Sequence, residues 1–319
     1  MPLRVFPLRP ASAPNYDLLI GAVGFESRSL HVPTHIGAHR VCLFPYSTQS
    51  STIFRQNLAL AESLKHCDLR PSPTLIDFRS EVARVLSSVS DGQRIAIDIS
   101  SFDRRRIATL LELAVERGNS LSALTVDLLY SPAEFSPPPA HLEGSPLEAG
   151  PIGDAFHGHL RRTSLPLAAI FGLGYEPQRA IGSFELLEPS RAWAFWPDSN
   201  DARYEESLQL ANRLLLSLFS ASDVLSYPVL DPGDAYYRLE SLVTGLSTGN
   251  RVVLVPMGPK IFAACCILLG LSNEVDRPAV WRIGVAGRPV AVDSRPRGEI
   301  VGLTVLLGEH NQSGTTSRQ

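Results

Sequence analysis

Two short segments, one in each half of the chain, combine residue types suited to holding an anion. The first reads Asp98-Ile99-Ser100-Ser101-Phe102-Asp103-Arg104-Arg105-Arg106, and the second Pro256-Met257-Gly258-Pro259-Lys260. Each closes an apolar run and opens an apolar helical pattern. A helix start presents unpaired backbone N–H groups and the positive end of a dipole, which together favour a phosphate. Ser100 and Ser101 are able to cap that helix and bond a phosphate, while Arg104 adds charge. In the second segment proline suits the first helical turn, with Lys260 just inside it. The competing reading is an ordinary pair of helix starts with arginines on a solvated face.

A second pair of signals reads Gly24-Phe25-Glu26-Ser27-Arg28 and Gly174-Tyr175-Glu176-Pro177-Gln178-Arg179. A glutamate with a nearby arginine, Arg28 or Arg179, makes a turn-stabilising ion pair. The same glutamates could bond a ribose hydroxyl, or act as an acid/base pair on a glycosidic or phosphoester bond. No Gly-x-Gly-x-x-Gly fingerprint and no Walker A loop occurs, which disfavours NAD and ATP sites of those kinds.

The elements that must position these residues occur twice, in the same order. Tyr16–Val23 and Leu167–Phe171 are strand patterns leading into the two glycine-aromatic-glutamate turns. Arg40–Pro45 and Arg191–Pro197 follow as strands, and Asn57–Leu64 and Ser207–Leu214 as amphipathic helices. Helices over Glu81–Val89 and Ala235–Leu246 precede buried strands over Arg94–Ile99 and Arg251–Val255. Helices over Ile107–Glu116 and Ile261–Leu271 and strands over Ala123–Tyr130 and Ala279–Val285 complete each copy. Uninterrupted Val/Ile/Leu runs alternating with helices call for parallel strands covered on both faces. The expected fold is α/β: two tandem Rossmann-like units with mainly parallel sheets, related by pseudo-two-fold symmetry. Residues 1–135 and 166–309 would form the units, 136–165 a proline-rich linker, and 310–319 a disordered polar tail. In such sheets ligands bind outside the carboxyl ends of the strands, where both pairs of signals fall.

Size and composition fit this plan. The chain's 319 residues suffice for two domains, and 44% apolar against 19% charged residues supply buried cores. A net charge of −3 gives no global attraction to nucleic acid or an anionic membrane, so any polyanion site must be a local cluster of cations. Only Lys65 and Lys260 are lysines among 29 basic residues, which singles out Lys260. Cys42, Cys67, Cys265 and Cys266 lack CxxC spacing and read as core residues of a reducing, cytoplasmic compartment. The longest apolar run, Ile261–Leu271, is too short to span a bilayer. His31, His35 and His39 have ligand-like spacing, but Pro33 and Gly37 argue against a helix there, and no metal site is expected. No cofactor is implied.

The Asp98-Ile99-Ser100-Ser101 segment with Arg104 resembles the CRISPR-associated Rossmann fold (CARF) sensor domains. In some of these a strand ends in Asp-x-Thr/Ser, followed by small polar residues and a Lys or Arg opening a helix. Gly258-Pro259-Lys260 matches the end of that pattern, and the Gly-Gly-Thr run is lacking. The resemblance implies paired domains holding a cyclic oligoadenylate across a two-fold axis, which a fused duplicate could do internally. It also implies a sensor or accessory role in prokaryotic antiviral defence. The expected function is binding of a phosphate-bearing, nucleotide-like small molecule. Ser100, Ser101, Arg104, Gly258 and Lys260 would lie on its phosphates, and Glu26 and Glu176 nearer its sugar or base. The alternatives are a nucleotide hydrolase or transferase using Glu26 or Glu176, and a scaffold for a protein partner without a small ligand.

Overall fold

The computed structural model describes residues 3–8, 15–46, 51–137, 147–158, 164–176, 178–272, 277–285 and 293–308. The expected polar tail lies outside them. In chain order the elements are β1 (Arg4–Pro7), β2 (Leu18–Val23), α1 (His31–His35), β3 (Val41–Pro45), α2 (Thr52–Ser63), β4 (Cys67–Leu69), α3 (Leu75–Ser87), β5 (Arg94–Asp98), α4 (Arg104–Gly118) and β6 (Leu124–Tyr130). They continue with β7 (Leu147–Pro151), β8 (Leu167–Gly172), α5 (Arg179–Leu187), β9 (Arg191–Asp198), α6 (Ala202–Leu216), β10 (Val224–Pro228), α7 (Pro232–Ser247), β11 (Arg251–Pro256), α8 (Lys260–Leu271), β12 (Ala279–Val285) and β13 (Val301–Leu307). No described helix is long and apolar enough to cross a membrane.

The strands form two sheets, β1-β13-β6-β5-β2-β3-β4 and β10-β9-β8-β11-β12-β7. Numbered within each copy, β2–β6 and β8–β12 both follow the order 3-2-1-4-5, and every pairing among them is parallel. The duplicated α/β architecture expected from the sequence is therefore present, with one further parallel edge strand in each copy, β4 and β10. Each copy also gains an antiparallel neighbour on its last strand, β13 on β6 and β7 on β12. Those two strands depart from the order of the chain. β7 falls in the stretch read as linker, yet it edges the second sheet. β13 follows the second unit, yet it sits in the first sheet between β6 and β1. The second sheet is thus an insertion between two strands of the first.

Alternation along the strands sorts the core into layers. Ile20, Ile97 and Leu128 of the first sheet and Ile170 and Leu254 of the second share one apolar cluster with α3, α4, α7 and α8. The opposite faces, Leu19 and Leu43 in one sheet and Phe171 and Val255 in the other, pack on α2 and on α5 with α6. The sheets therefore enclose a common helical layer. α8 lies at its heart, buried from Ile261 to Leu271, which explains why its sequence is apolar on all sides. Cys265 and Cys266 are part of this core, and all four cysteines are free.

Local chemistry sets the helix starts. Ser51 accepts from Phe54 N at α2, Thr74 and Asp77 form a reciprocal capping box at α3, and Asp231 caps α7 ahead of Pro232. The start of α4 corrects the sequence reading: its cap is Asp103, which accepts from Arg106 N at 3.0 Å, not Ser100 or Ser101. Ser100 is turned inward instead, toward Asp98 and Ser131. The histidine segment also differs from expectation. His31–His35 is one short helical turn, because Pro33 lies in its first turn, where no backbone N–H is required.

Candidate functional site

The ends of β2 and β5, and of β8 and β11, are where strand order reverses in each copy, the crevice in which open α/β sheets bind ligands. Here the two crevices meet. Arg104, first residue of α4, donates through Nη2 to the carbonyls of Met257 and Gly258 at 2.7 and 2.6 Å. Lys260, first residue of α8, donates through Nζ to the carbonyl of Ser100 at 2.5 Å. Each copy's helix-opening cation thus reaches the strand-to-helix turn of the other, a reciprocal exchange about the pseudo-two-fold. Neither makes an ion pair among the described residues.

The placement is costly. The positive end of a helix dipole favours an anion, yet both first positions hold a cation. Burial pushes Lys260 down to about 8, opposed by the nearby Glu26 carboxylate and reinforced by Arg28 and Arg104. Arg104 is lowered by burial as well, with Glu176 opposing and Arg179 adding to the shift. Four cations, Arg28, Arg104, Arg179 and Lys260, therefore gather around Glu26, Glu176 and Asp98.

The glutamate turns are ion-paired in both copies. Arg28 Nε meets Glu26 Oε2 at 2.8 Å, and Arg179 Nη1 meets Glu176 Oε1 at 2.9 Å. Arg28 is buried and goes further, donating to the Ser131 carbonyl at 3.0 Å and toward Tyr130 Oη at 3.5 Å. It thereby ties the first turn to the end of β6. Burial alone would raise the Glu26 carboxyl, but Lys260 and Arg28 together hold it below the usual carboxylate value.

Asp98 is 1% exposed. Its Oδ1 accepts from the Ser100 amide at 2.9 Å and the Ser100 hydroxyl at 2.5 Å, while Oδ2 has no partner among the described residues. Burial pushes this carboxyl up to about 6, against the Ser100 hydrogen bonds and the charges of Arg28 and Lys260. Ser101 Oγ and Arg104 Nε are also buried without partners among the described residues. Buried polar atoms are nearly always satisfied, so three without a partner among the described residues set this seam apart.

Close backbone approach explains the glycines. A Cβ on Gly258 would stand 2.2 Å from the Leu173 carbonyl, and one on Gly174 would stand 2.7 Å from the Met257 carbonyl. The Gly258 amide itself donates to the Gly172 carbonyl at 3.1 Å.

Every residue proposed from the sequence lies at this seam, but several that shape it were missed. Asn57 Nδ2 donates to the carbonyls of Gly24 and Glu26, both at 2.9 Å, and Asn212 Nδ2 donates to that of Gly174 at 2.8 Å. These are equivalent braces in α2 and α6; a polar residue on the buried face of each helix was the available signal. Tyr130 and Ser131 at the end of β6 were missed too. So was Asp293, whose carboxylate accepts from the Ser27 amide and hydroxyl at 2.7 and 2.8 Å. Among the described residues, no group of three or more His, Cys, Asp and Glu is placed to hold a metal ion. No protein-family model and no curated protein matches this sequence, so the functional reading rests on the geometry of this seam.

Proposed function

We propose that the chain binds a phosphate-bearing, nucleotide-like ligand at the seam between its two copies. The observation that carries this reading is the exchanged pair of cations. Arg104 and Lys260 sit where the local dipole disfavours them, and among the described residues each hydrogen-bonds only backbone carbonyls. Residues that break a local rule are expected at functional sites. A phosphate between them would meet two cations, the free Ser101 hydroxyl and the unpaired Arg104 Nε. Glu26, kept ionised at neutral pH, suits acceptance from a ribose hydroxyl better than the role of a general acid. On the resemblance to CARF sensor domains, the guest would serve as a signal in prokaryotic antiviral defence.

Native mass spectrometry of freshly purified protein should reveal a retained small molecule, and nucleotides added in excess should raise the melting temperature. Ser101→Ala is the informative variant, because its hydroxyl has no hydrogen-bond partner among the described residues. It should leave the unliganded melt unchanged and weaken binding roughly fivefold, the value of one hydrogen bond. If no nucleotide is retained and none shifts the melt, the reading fails.

A further inference from the structure

We infer that Tyr175 is the surface on which the base of this ligand stacks, an inference that rests on the nucleotide reading above. Tyr175 is the middle residue of the Gly174–Glu176 turn, and its ring is half-buried. Behind it stands Tyr204, with ring centroids 5.9 Å apart, and Tyr204 meets Phe135 edge-on at 5.0 Å. The backing is fixed in place: Tyr204 Oη donates to the carbonyls of Ala133 and Glu134, both at 3.1 Å, and the Arg203 guanidinium lies over Phe135 at 5.1 Å. Tyr175 is the terminal ring of this tilted cluster, and its own hydroxyl makes no hydrogen bond among the described residues.

Its neighbours give the stack a use. Tyr175 follows Gly174, whose backbone lies against the Met257 carbonyl that Arg104 bonds, so its turn stands at the seam. A nucleotide carries its base and its phosphate at opposite ends of a ribose. An aromatic face beside a cation cluster meets both requirements, since every base has a π-face to stack. The equivalent aromatic of the first copy, Phe25, packs instead against the apolar cluster on the outer face of the first sheet. The pseudo-symmetry is broken here, which leaves the second copy's turn to receive the base.

The test compares probes with and without a base: the four common nucleoside monophosphates and ribose 5-phosphate, titrated by calorimetry. Tyr175→Ala should weaken nucleoside monophosphates roughly ten- to a hundredfold, the range for a lost base–aromatic stack, and leave ribose 5-phosphate unchanged. Tyr175→Phe should bind as the parent does. Equal losses for both probe types would assign Tyr175 a purely structural role and overturn the inference, as would an unchanged affinity in Tyr175→Ala. A measurement on the unaltered protein covers the case in which the variant does not fold. The fluorescence of bound 2-aminopurine riboside monophosphate should be quenched by stacking, and a bound but unquenched probe overturns the inference while sparing the nucleotide reading. If the parent protein binds none of these probes, the nucleotide reading falls and takes this inference with it.

Discussion

Asp98 brings a carboxylate into the core, where among the described residues only one of its oxygens has hydrogen-bond donors, and its pH behaviour follows from that burial. With its carboxyl pushed up to about 6 in the folded chain, the native state holds a proton that the unfolded chain has released between about pH 4 and 6. Its contribution to stability therefore grows as pH falls through that window, by about 3 kcal/mol in total. Asp98→Asn should remove this dependence. Urea midpoints for both proteins from about pH 4 to 7 would test it, and parallel curves would refute it. Lys260 acts at the other end of the scale. Its ammonium is lowered to about 8 in the folded state, so the native chain loses a proton that the unfolded chain keeps up to its ordinary value near 10.5. Stability should rise across that interval, and Lys260→Met should flatten the rise; an unchanged slope would mean that the buried ammonium carries no such penalty. At this scale the sequence disclosed which residue types were present but not their partners. That Lys260 answers the Ser100 carbonyl depends on how two distant turns dock, and no local pattern encodes it.

Among the elements, α2 and α6 do more than cover their sheets, because each sends one asparagine under a glycine-aromatic-glutamate turn. Asn57→Ala would take the Asn57 donor from the Gly24 carbonyl, at a cost of about 1–3 kcal/mol for a buried group left unpaired, while the Glu26 carbonyl would keep the Ser29 amide. Thermal melts should show the loss, and a midpoint within a degree of the parent would argue against the brace. Gly258→Ala should be worse, since the added methyl meets backbone rather than a movable side chain. Long elements were legible from periodicity: the Val/Ile/Leu strands β2, β5, β8 and β11 and helices such as α8 each supply enough residues for a pattern. β4 has three residues and β10 five, and both edge strands take their identity from a neighbour distant in the chain. The helix α1 was hidden by Pro33, a residue that breaks helices except in the first turn, which is where it lies.

For the whole molecule, the repetition was legible and the interleaving was not. Val301–Leu307 has the composition of a strand, but nothing in it names β6 as its partner. A chain cut to residues 1–135 should therefore fail to fold cooperatively. It would lack β13, which stands between β1 and β6, and would expose the face of α4 that packs on α8. A sigmoidal urea transition of that piece would contradict this account. The pairing of β1 with β13 has one more consequence. The two strands run antiparallel, with Arg4 opposite Leu306, so the start of one and the end of the other emerge side by side. Force applied between those points would peel the pair apart one rung at a time instead of shearing all its rungs together. The outermost strand should yield at low tension, long before the helical layer between the sheets is strained.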